Sequence, residues 1–210
     1  MLALGQDGLV ANVAKYLDGH PVIGLNPGIG QGVLVRHPPE AAADLIADLT
    51  RGTARIEERT MASALLDDGQ EVLALNEIFV GHATHQSARY TIALGDHAER
   101  QSSSGVIAAT GTGATGWAAS INRGLASPLA LPEPQEPALA FFVREAWPST
   151  STGTTLTAGR ITAAQRLEIT CELGEGGTVF GDGIEADHVA VDWGQRIEIG
   201  AASRTLRLVG

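Results

Sequence analysis

The stretch Ser104-Gly-Val-Ile-Ala-Ala-Thr-Gly-Thr-Gly-Ala-Thr-Gly-Trp117 decides how this chain is read. An apolar run suited to a buried strand breaks into alternating Gly and Thr, then passes into a helix-like stretch over residues 118–123. Glycines let the backbone approach a ligand closely. Threonine hydroxyls and the free N–H groups at a helix start can donate to phosphate or ribose oxygens. The same pattern also serves as a plain strand-to-helix connection, so the surrounding sequence has to decide between the two.

Upstream, residues 1–4 read as the end of a buried strand. Residues 9–17 read as a helix with apolar side chains at 9, 10, 13, 14 and 17, closed by Gly19. Residues 21–25 suit a parallel strand, and residues 39–51 a second helix with Pro39 at its start. Residues 1–52 thus read as an α/β, Rossmann-like unit. After Gly52 the texture becomes strand-like over 55–66, 71–80, 87–94 and 104–110, with turn signals at 67–70 and 95–97. Further strands are expected over 138–144, 165–173, 177–181, 188–191, 195–199 and 205–209. Residues 53–210 are expected to form an all-β, antiparallel, sandwich-like domain with one short helix near 115–124, its last strand free to return to the first unit. The fold class is α+β. The Pro-rich segment 127–137 reads as a mobile excursion from this domain.

A chain of 210 residues with 44% hydrophobic content can bury a sizeable core, and 4% aromatics make that core Ala, Val, Ile and Leu. A formal net charge of −10 argues against a nucleic-acid partner, because no basic stripe offsets a phosphate backbone. Backbone N–H groups and a divalent cation can still hold a nucleotide's phosphates locally. The single cysteine, Cys171, lies in an alternating run and suits a small core residue. The N-terminus lacks a basic region, Asp7 interrupts its apolar stretch, and no apolar run reaches membrane-spanning length; the expected address is the cytoplasm.

Asp7 stands in a turn between Gly5 and Gly8 at the carboxyl end of a strand, where open α/β sheets hold ligands. It is a candidate for the carboxylate that orients or deprotonates a hydroxyl, or alternatively a cap for the following helix. Asn76 and Glu77 interrupt an otherwise apolar strand over 72–80, and alternation turns them to opposite faces. Either one faces a ligand-bearing surface, or the strand is an edge with both solvated. His82 and His85, three apart, fit solvated histidines better than a zinc site.

In order along the chain, Gly5-Gln-Asp-Gly8, Ala74-Leu-Asn-Glu-Ile-Phe-Val80, Thr110-Gly-Thr-Gly113 and Asp182-Gly-Ile-Glu185 resemble the motifs of the NAD kinase family. The Thr-Gly-Thr-Gly form, with Trp117 and Ile121-Asn-Arg123 after it, looks more like the mitochondrial type. The resemblance implies an ATP-dependent, Mg²⁺-requiring phosphotransferase that makes NADP by phosphorylating the adenosine 2′-hydroxyl of NAD, assembled as a homodimer or higher homo-oligomer. It implies Asp7 as the catalytic carboxylate, in a turn with Gly5 and Gly8, and Asn76 and Glu77 holding the hydroxyls and adenine edge. Thr110, Gly111, Thr112, Gly113 and Thr115 would line the opposite wall. Asp182 matches the family's late Asp-Gly turn, which a hairpin explains equally well. No metal ligand is assigned. Gln6, Leu9, Ala114 and Ser104 depart from the family pattern, and the chain opens directly on the strand before its Asp-containing turn, so the earlier βα elements are expected to be missing. The alternative is a catalytically impaired NAD(P)-binding protein of the same fold.

Overall fold

The computed structural model, which describes residues 1–28, 30 and 32–210, opens with a short parallel pair. Strand β1 (Leu2–Leu4) lies beside β2 (Ile23–Leu25) with Leu2 opposite Ile23 and Leu4 opposite Leu25. Helix α1 (Asp7–Ala14) connects them and buries Val10, Ala11 and Ala14. Helix α2 (Ala42–Arg51) is entered through a 3₁₀ turn, Pro39–Ala41, where proline presets the helical φ. It stops at Gly52, whose φ of 72° suits a residue without Cβ.

The following strands are β3 (Ile56–Leu66), β4 (Glu71–Ala74), β5 (Glu77–His82), β6 (Ala88–Leu94), β7 (His97–Ser103) and β8 (Val106–Ala109). Helix α3 (Trp117–Arg123) leads to β9 (Leu139–Val143), β10 (Ala158–Ile161), β11 (Leu167–Cys171), β12 (Gly177–Gly181), β13 (Val189–Val191) and β14 (Arg196–Val209). Among the described residues these strands build two six-stranded antiparallel sheets, ordered β10-β9-β8-β5-β12-β13 and β4-β3-β14-β11-β6-β7. Their facing sides share one core. Ile78, Val106 and Phe141 from the first sheet pack with Leu66, Ile92, Leu167 and Ile197 from the second. Each such side chain contributes about 1.5–3 kcal/mol on burial. The fold is α+β, with a sandwich-like antiparallel part.

The expected strands at 195–199 and 205–209 are one strand, β14, in which the pairing with β3 shifts between Ala201 and Thr205. That bulge breaks the alternation and makes one strand read as two. Beyond it, Val22 donates to Arg207 O (2.8 Å) and Val209 donates to Val22 O (2.8 Å), so the end of β14 runs beside the opening parallel pair. A second apolar cluster joins Ala3, Val10 and Val22 to Met61, Leu75, Leu206 and Leu208. Together these contacts fix where α1 and its leading turn face the sandwich.

The expected strand 71–80 is two strands that belong to different sheets: β4 pairs with β3, while β5 pairs with β8 and β12. Leu75 and Asn76 are the crossing between them. Segment 127–137 is held rather than free. Asn122 bonds both backbone groups of Leu129 (Nδ2 to O 3.0 Å; N to Oδ1 2.7 Å), and Thr60 donates to Pro134 O (2.9 Å).

Candidate functional site

At the crossing the backbone leaves one ladder before it joins the next, so its polar groups need other partners. Asp182 supplies them from one side: its carboxylate accepts the N–H groups of Leu75 (3.1 Å) and Asn76 (2.6 Å). Thr110 supplies them from the other. Its hydroxyl donates to Leu75 O (2.6 Å) and its N–H donates to Asn76 O (2.9 Å). The same hydroxyl accepts from the N–H groups of Thr112 (3.1 Å) and Gly113 (3.2 Å), which curls the Gly/Thr segment into a 3₁₀ turn, Gly113–Thr115. Gly113 presses on the crossing so closely that a Cβ there would lie 2.2 Å from Asn76 O. Gly111 presses likewise on Glu133, with a Cβ 2.1 Å from its carbonyl carbon.

This packing leaves a cleft of ≈ 280 Å³, walled by Asp7, Asn76, Glu77, Thr112, Thr115 and Trp117. Residues as far apart in sequence as Asp7 and Trp117 thus converge on one cleft. Thr110 and Gly111 do not line the cleft; both are buried and shape the turn beneath it. Gly5 ties the leading turn to β2 through its N–H to Leu25 O (3.0 Å), and Gly8 is exposed with open space at its Cβ position. Asp182 works from behind the crossing.

Asp7 is the first residue of α1, and no side chain caps that helix, whose N-cap is Gln6. The capping role is therefore replaced by another. The Asp7 carboxylate accepts three backbone N–H groups, Val33 on Oδ2 (2.7 Å) and Leu34 and Val35 on Oδ1 (2.9 and 3.0 Å). Loop 32–35 is thereby clamped against the helix start. It comes so near that a Cβ on Gly32 would lie 2.5 Å from Asp7 Oδ1. A carboxylate offers roughly four acceptor positions, so about one remains on Asp7 for a ligand hydroxyl.

Burial pushes the Glu77 carboxyl up to about 7, and the neighbouring charge of Asp182 adds to the rise. Asp182 is also raised by burial, opposed by the N–H groups of Asn76 and Leu75 and by the charge of Lys15. Because Asp182 holds those donors and, among the described residues, none reaches Glu77, a proton shared by the pair rests on Glu77. Asp182 occupies a left-handed conformation, φ 57°, that Asp tolerates better than most residues.

Arg59, on β3, lies behind Thr112. It is 2% exposed, and one terminal nitrogen donates to Thr112 Oγ1 (3.3 Å) while the other donates to Glu57 Oε2 (3.1 Å). Sequence reasoning missed this cation, as it missed the loop that clamps Asp7. For the loop a signal existed in Gly28, Gly30 and Gly32, spaced by two directly after a strand. Among the described residues no cluster of three His, Cys, Asp or Glu side chains could hold a metal by itself, and no helix is long and apolar enough to cross a membrane.

No protein-family model matches the chain. Over 127 residues it is 35% identical to the NAD kinase of Methylococcus capsulatus, a match covering 57% of this chain and 43% of that one. Over 130 residues it is 29% identical to the NAD kinase of Chlorobaculum tepidum, covering 60% and 46%. The likeness is to NAD kinases. The solved structure of yeast NADH kinase complexed with NADH aligns with 100% of this chain and 60% of its own at a TM-score of 0.74 and 16% identity, so the two share a fold. The chain spans less than half the length of the curated relatives it matches.

Proposed function

We propose that this chain carries the NAD-binding and phosphoryl-acceptor site of an NAD kinase, phosphorylating the adenosine 2′-hydroxyl of NAD with ATP as donor. The observation that carries the reading is the convergence of Asp7, Asn76, Glu77, Thr112 and Thr115 on one cleft from three separate stretches of sequence. The adenosine lies against the crossing. The Asn76 amide and the Glu77 carboxyl read its hydroxyls and the amino edge of the base, and Thr115 with Thr112 closes the other side. The open acceptor position on Asp7 takes the 2′-hydroxyl, orients it toward the donor and receives its proton as the 2′-oxygen bonds to the γ-phosphorus and the bond from that phosphorus to the β,γ-bridging oxygen breaks, releasing ADP. Arg59 holds the Thr112 hydroxyl from behind. Among the described residues no group of three His, Cys, Asp or Glu side chains could hold a magnesium ion by itself, so the cation would arrive with the triphosphate as part of the donor.

The Thr110-Gly-Thr-Gly113 form with Trp117 favours the mitochondrial type of the family. The chain acts as a homodimer or higher homo-oligomer. Sedimentation equilibrium at tens of micromolar should show association that NAD strengthens, and a monomer in both conditions would refute it. A second reading, an NAD-binding chain with little turnover, is favoured by the clamp on Asp7, which occupies most of that carboxylate's acceptor positions. An assay of NADP formation from NAD and ATP separates the two. The kinase reading expects kcat lowered by roughly 10² or more in Asp7→Asn, whereas NAD binding without NADP formation in the wild-type chain supports the second.

A further inference from the structure

Two side chains of β3 join the walls of the cleft. Glu57 and Arg59 stand two apart on that strand and so share a face, with Met61 next along it in the cluster that holds Leu75. From Glu57 the links run outward in both directions. Its Oε1 accepts from the Arg36 guanidinium (2.8 Å), whose Nε donates to Val33 O (2.7 Å), and Val33 is the residue whose N–H reaches Asp7 Oδ2 (2.7 Å). Its Oε2 accepts from Arg59 (3.1 Å), which donates through its other terminal nitrogen to Thr112 Oγ1 (3.3 Å). One carboxylate thus spans from the loop that clamps Asp7 to the wall that faces it.

Stability alone does not explain this chain of charges. The Arg59 side chain is 3% exposed and that of Glu57 15%, and Arg59 Nε is buried with no hydrogen-bond partner among the described residues. Taking charges out of water is costly, and well-packed apolar side chains of similar volume often stabilise as much. What apolar side chains cannot do is fix direction. An arginine has donors only, so the Thr112 oxygen accepts from Arg59 and keeps its own hydrogen for the cleft. The planar Arg36 fork holds Val33 O and Glu57 at once, which sets the loop at one distance from β3. The Arg36 hydrogen bond keeps the Glu57 carboxyl below its ordinary value against the effect of burial, with Arg59 adding to it, so the carboxylate stays charged on both arms at neutral pH.

We infer that Glu57 is a positioning residue of the acceptor site: through Arg36 and Arg59 it sets the span between the Asp7 carboxylate and the Thr112 hydroxyl, a role that rests on the proposed function for the identity of the ligand held between them, the adenosine half of NAD. Glu57 lies outside the cleft wall and touches no ligand itself. It acts by making the hydroxyl held on Asp7 and the acceptor atom held on Thr112 fit one bound molecule.

Amide hydrogen exchange and calorimetric titration with NAD test this in the full chain, with Glu57→Gln and, from the outer end of the bridge, Arg36→Gln and Arg36→Lys. Glutamine turns an amide nitrogen toward one of the two arginines and so opens one arm. The Arg36 side chain is 33% exposed, so its variants break the bridge without touching the interior. All three should raise exchange at the N–H groups of residues 33–35 and 112–115 together by about 10-fold or more. Lysine should behave like glutamine at position 36, because a point charge cannot hold both of the fork's partners. Each variant should weaken NAD by about 5- to 20-fold and, in the NADP assay, lower kcat by about 10-fold or more, since a misplaced hydroxyl costs rate as well as affinity. Exchange that rises in only one of the two segments, or NAD affinity retained within about 2-fold at a lower Tm, would reduce Glu57 to a plain ion-pair partner and overturn the inference. Wild-type protein that binds no NAD, with both segments still loosening together in the variants, would instead remove the reading of the cleft and leave the bridge standing.

Discussion

Replacing Glu77 by Gln should make the protein more stable at pH 8 and leave it unchanged at pH 4.5. The Glu77 carboxyl moves from an ordinary 4.5 to about 7 because burial, and then the charge of Asp182, disfavour its ionised form. A raised carboxyl means that the folded chain binds a proton which the unfolded chain has already released. Stability from this group is therefore complete below the unfolded value and declines as pH rises through about 7. At ~1.36 kcal/mol per pKa step the whole decline comes to about 3 kcal/mol. Glutamine has the same shape and cannot ionise, so the variant keeps what the wild type loses. Urea melts of both proteins between pH 4.5 and 8 give the difference directly, and other titrating groups cancel in it. A difference that stays constant over that range would refute the reasoning, because it would mean that Glu77 ionises as it does in water. The same physics reaches ligand binding. A ligand that brings a donor to Glu77 favours the carboxylate, so NAD binding at pH 7 should release up to about half a proton, read as a buffer-dependent enthalpy.

Thr110→Val should destabilise by about 2–4 kcal/mol, since the hydroxyl serves one buried carbonyl and two buried N–H groups, while Thr110→Ser should stay within about 1 kcal/mol in the same melts. Gly113→Ala should abolish NAD binding in calorimetry, because its Cβ would meet the Asn76 backbone at 2.2 Å. Gly8→Ala, with open space around it on α1, should be neutral or up to about 1 kcal/mol stabilising by thermal melting. Asp7→Asn should lower kcat by roughly 10² or more and also cost about 1–3 kcal/mol in stability, because an amide nitrogen would face one of the three N–H donors of loop 32–35; a variant as stable as wild type would show that the clamp contributes nothing.

The α+β fold was legible because its long elements obey their periods. The helices at 7–14 and 42–51 carry apolar stripes, the central strands β5, β8 and β9 are nearly continuous apolar runs, and β11 alternates apolar and polar residues. What escaped were the edges. β7 reads His-Ala-Glu-Arg-Gln-Ser-Ser and β10 reads Ala-Gly-Arg-Ile, because a strand with one open ladder side and a solvated face needs neither alternation nor bulk. The candidate site was legible as residue types at motif spacing, and Asp7, Asn76, Glu77, Thr112 and Thr115 line one cleft. Which member faces the cleft and which supports it was not legible. Thr110 and Thr112 are two apart in one motif, yet one is the buried post of the turn and the other its wall. Arg59 left no trace, since a buried arginine in an 11-residue strand looks like a solvated one until its neighbours are known.

The expectation that Asn76 and Glu77 point to opposite faces of one strand rested on an unbroken period of two, and the reason it fails also accounts for the position of the cleft. A chain that passes from one sheet to the other must present backbone N–H and C=O groups that no ladder satisfies, and each left unpaired in the interior would cost about 1–3 kcal/mol. Only side chains with fixed donors and acceptors can meet them, so Asp182 and Thr110 converge there from β12 and β8. Their arrival makes the interior polar at that one place, adds the charge of Asp182 to the burial that raises the Glu77 carboxyl, and keeps the Gly/Thr turn close enough to form a wall. The opening parallel pair then brings Asp7 to the same place through the cluster that includes Leu75. Polar side chains in an apolar strand pattern are thus first a statement about topology, and the ligand site follows from the same unsatisfied backbone. This argues that variants at Thr110 and Asp182 should lose stability and NAD affinity together, whereas variants at Asn76, whose side chain takes no part in the crossing, should lose affinity alone.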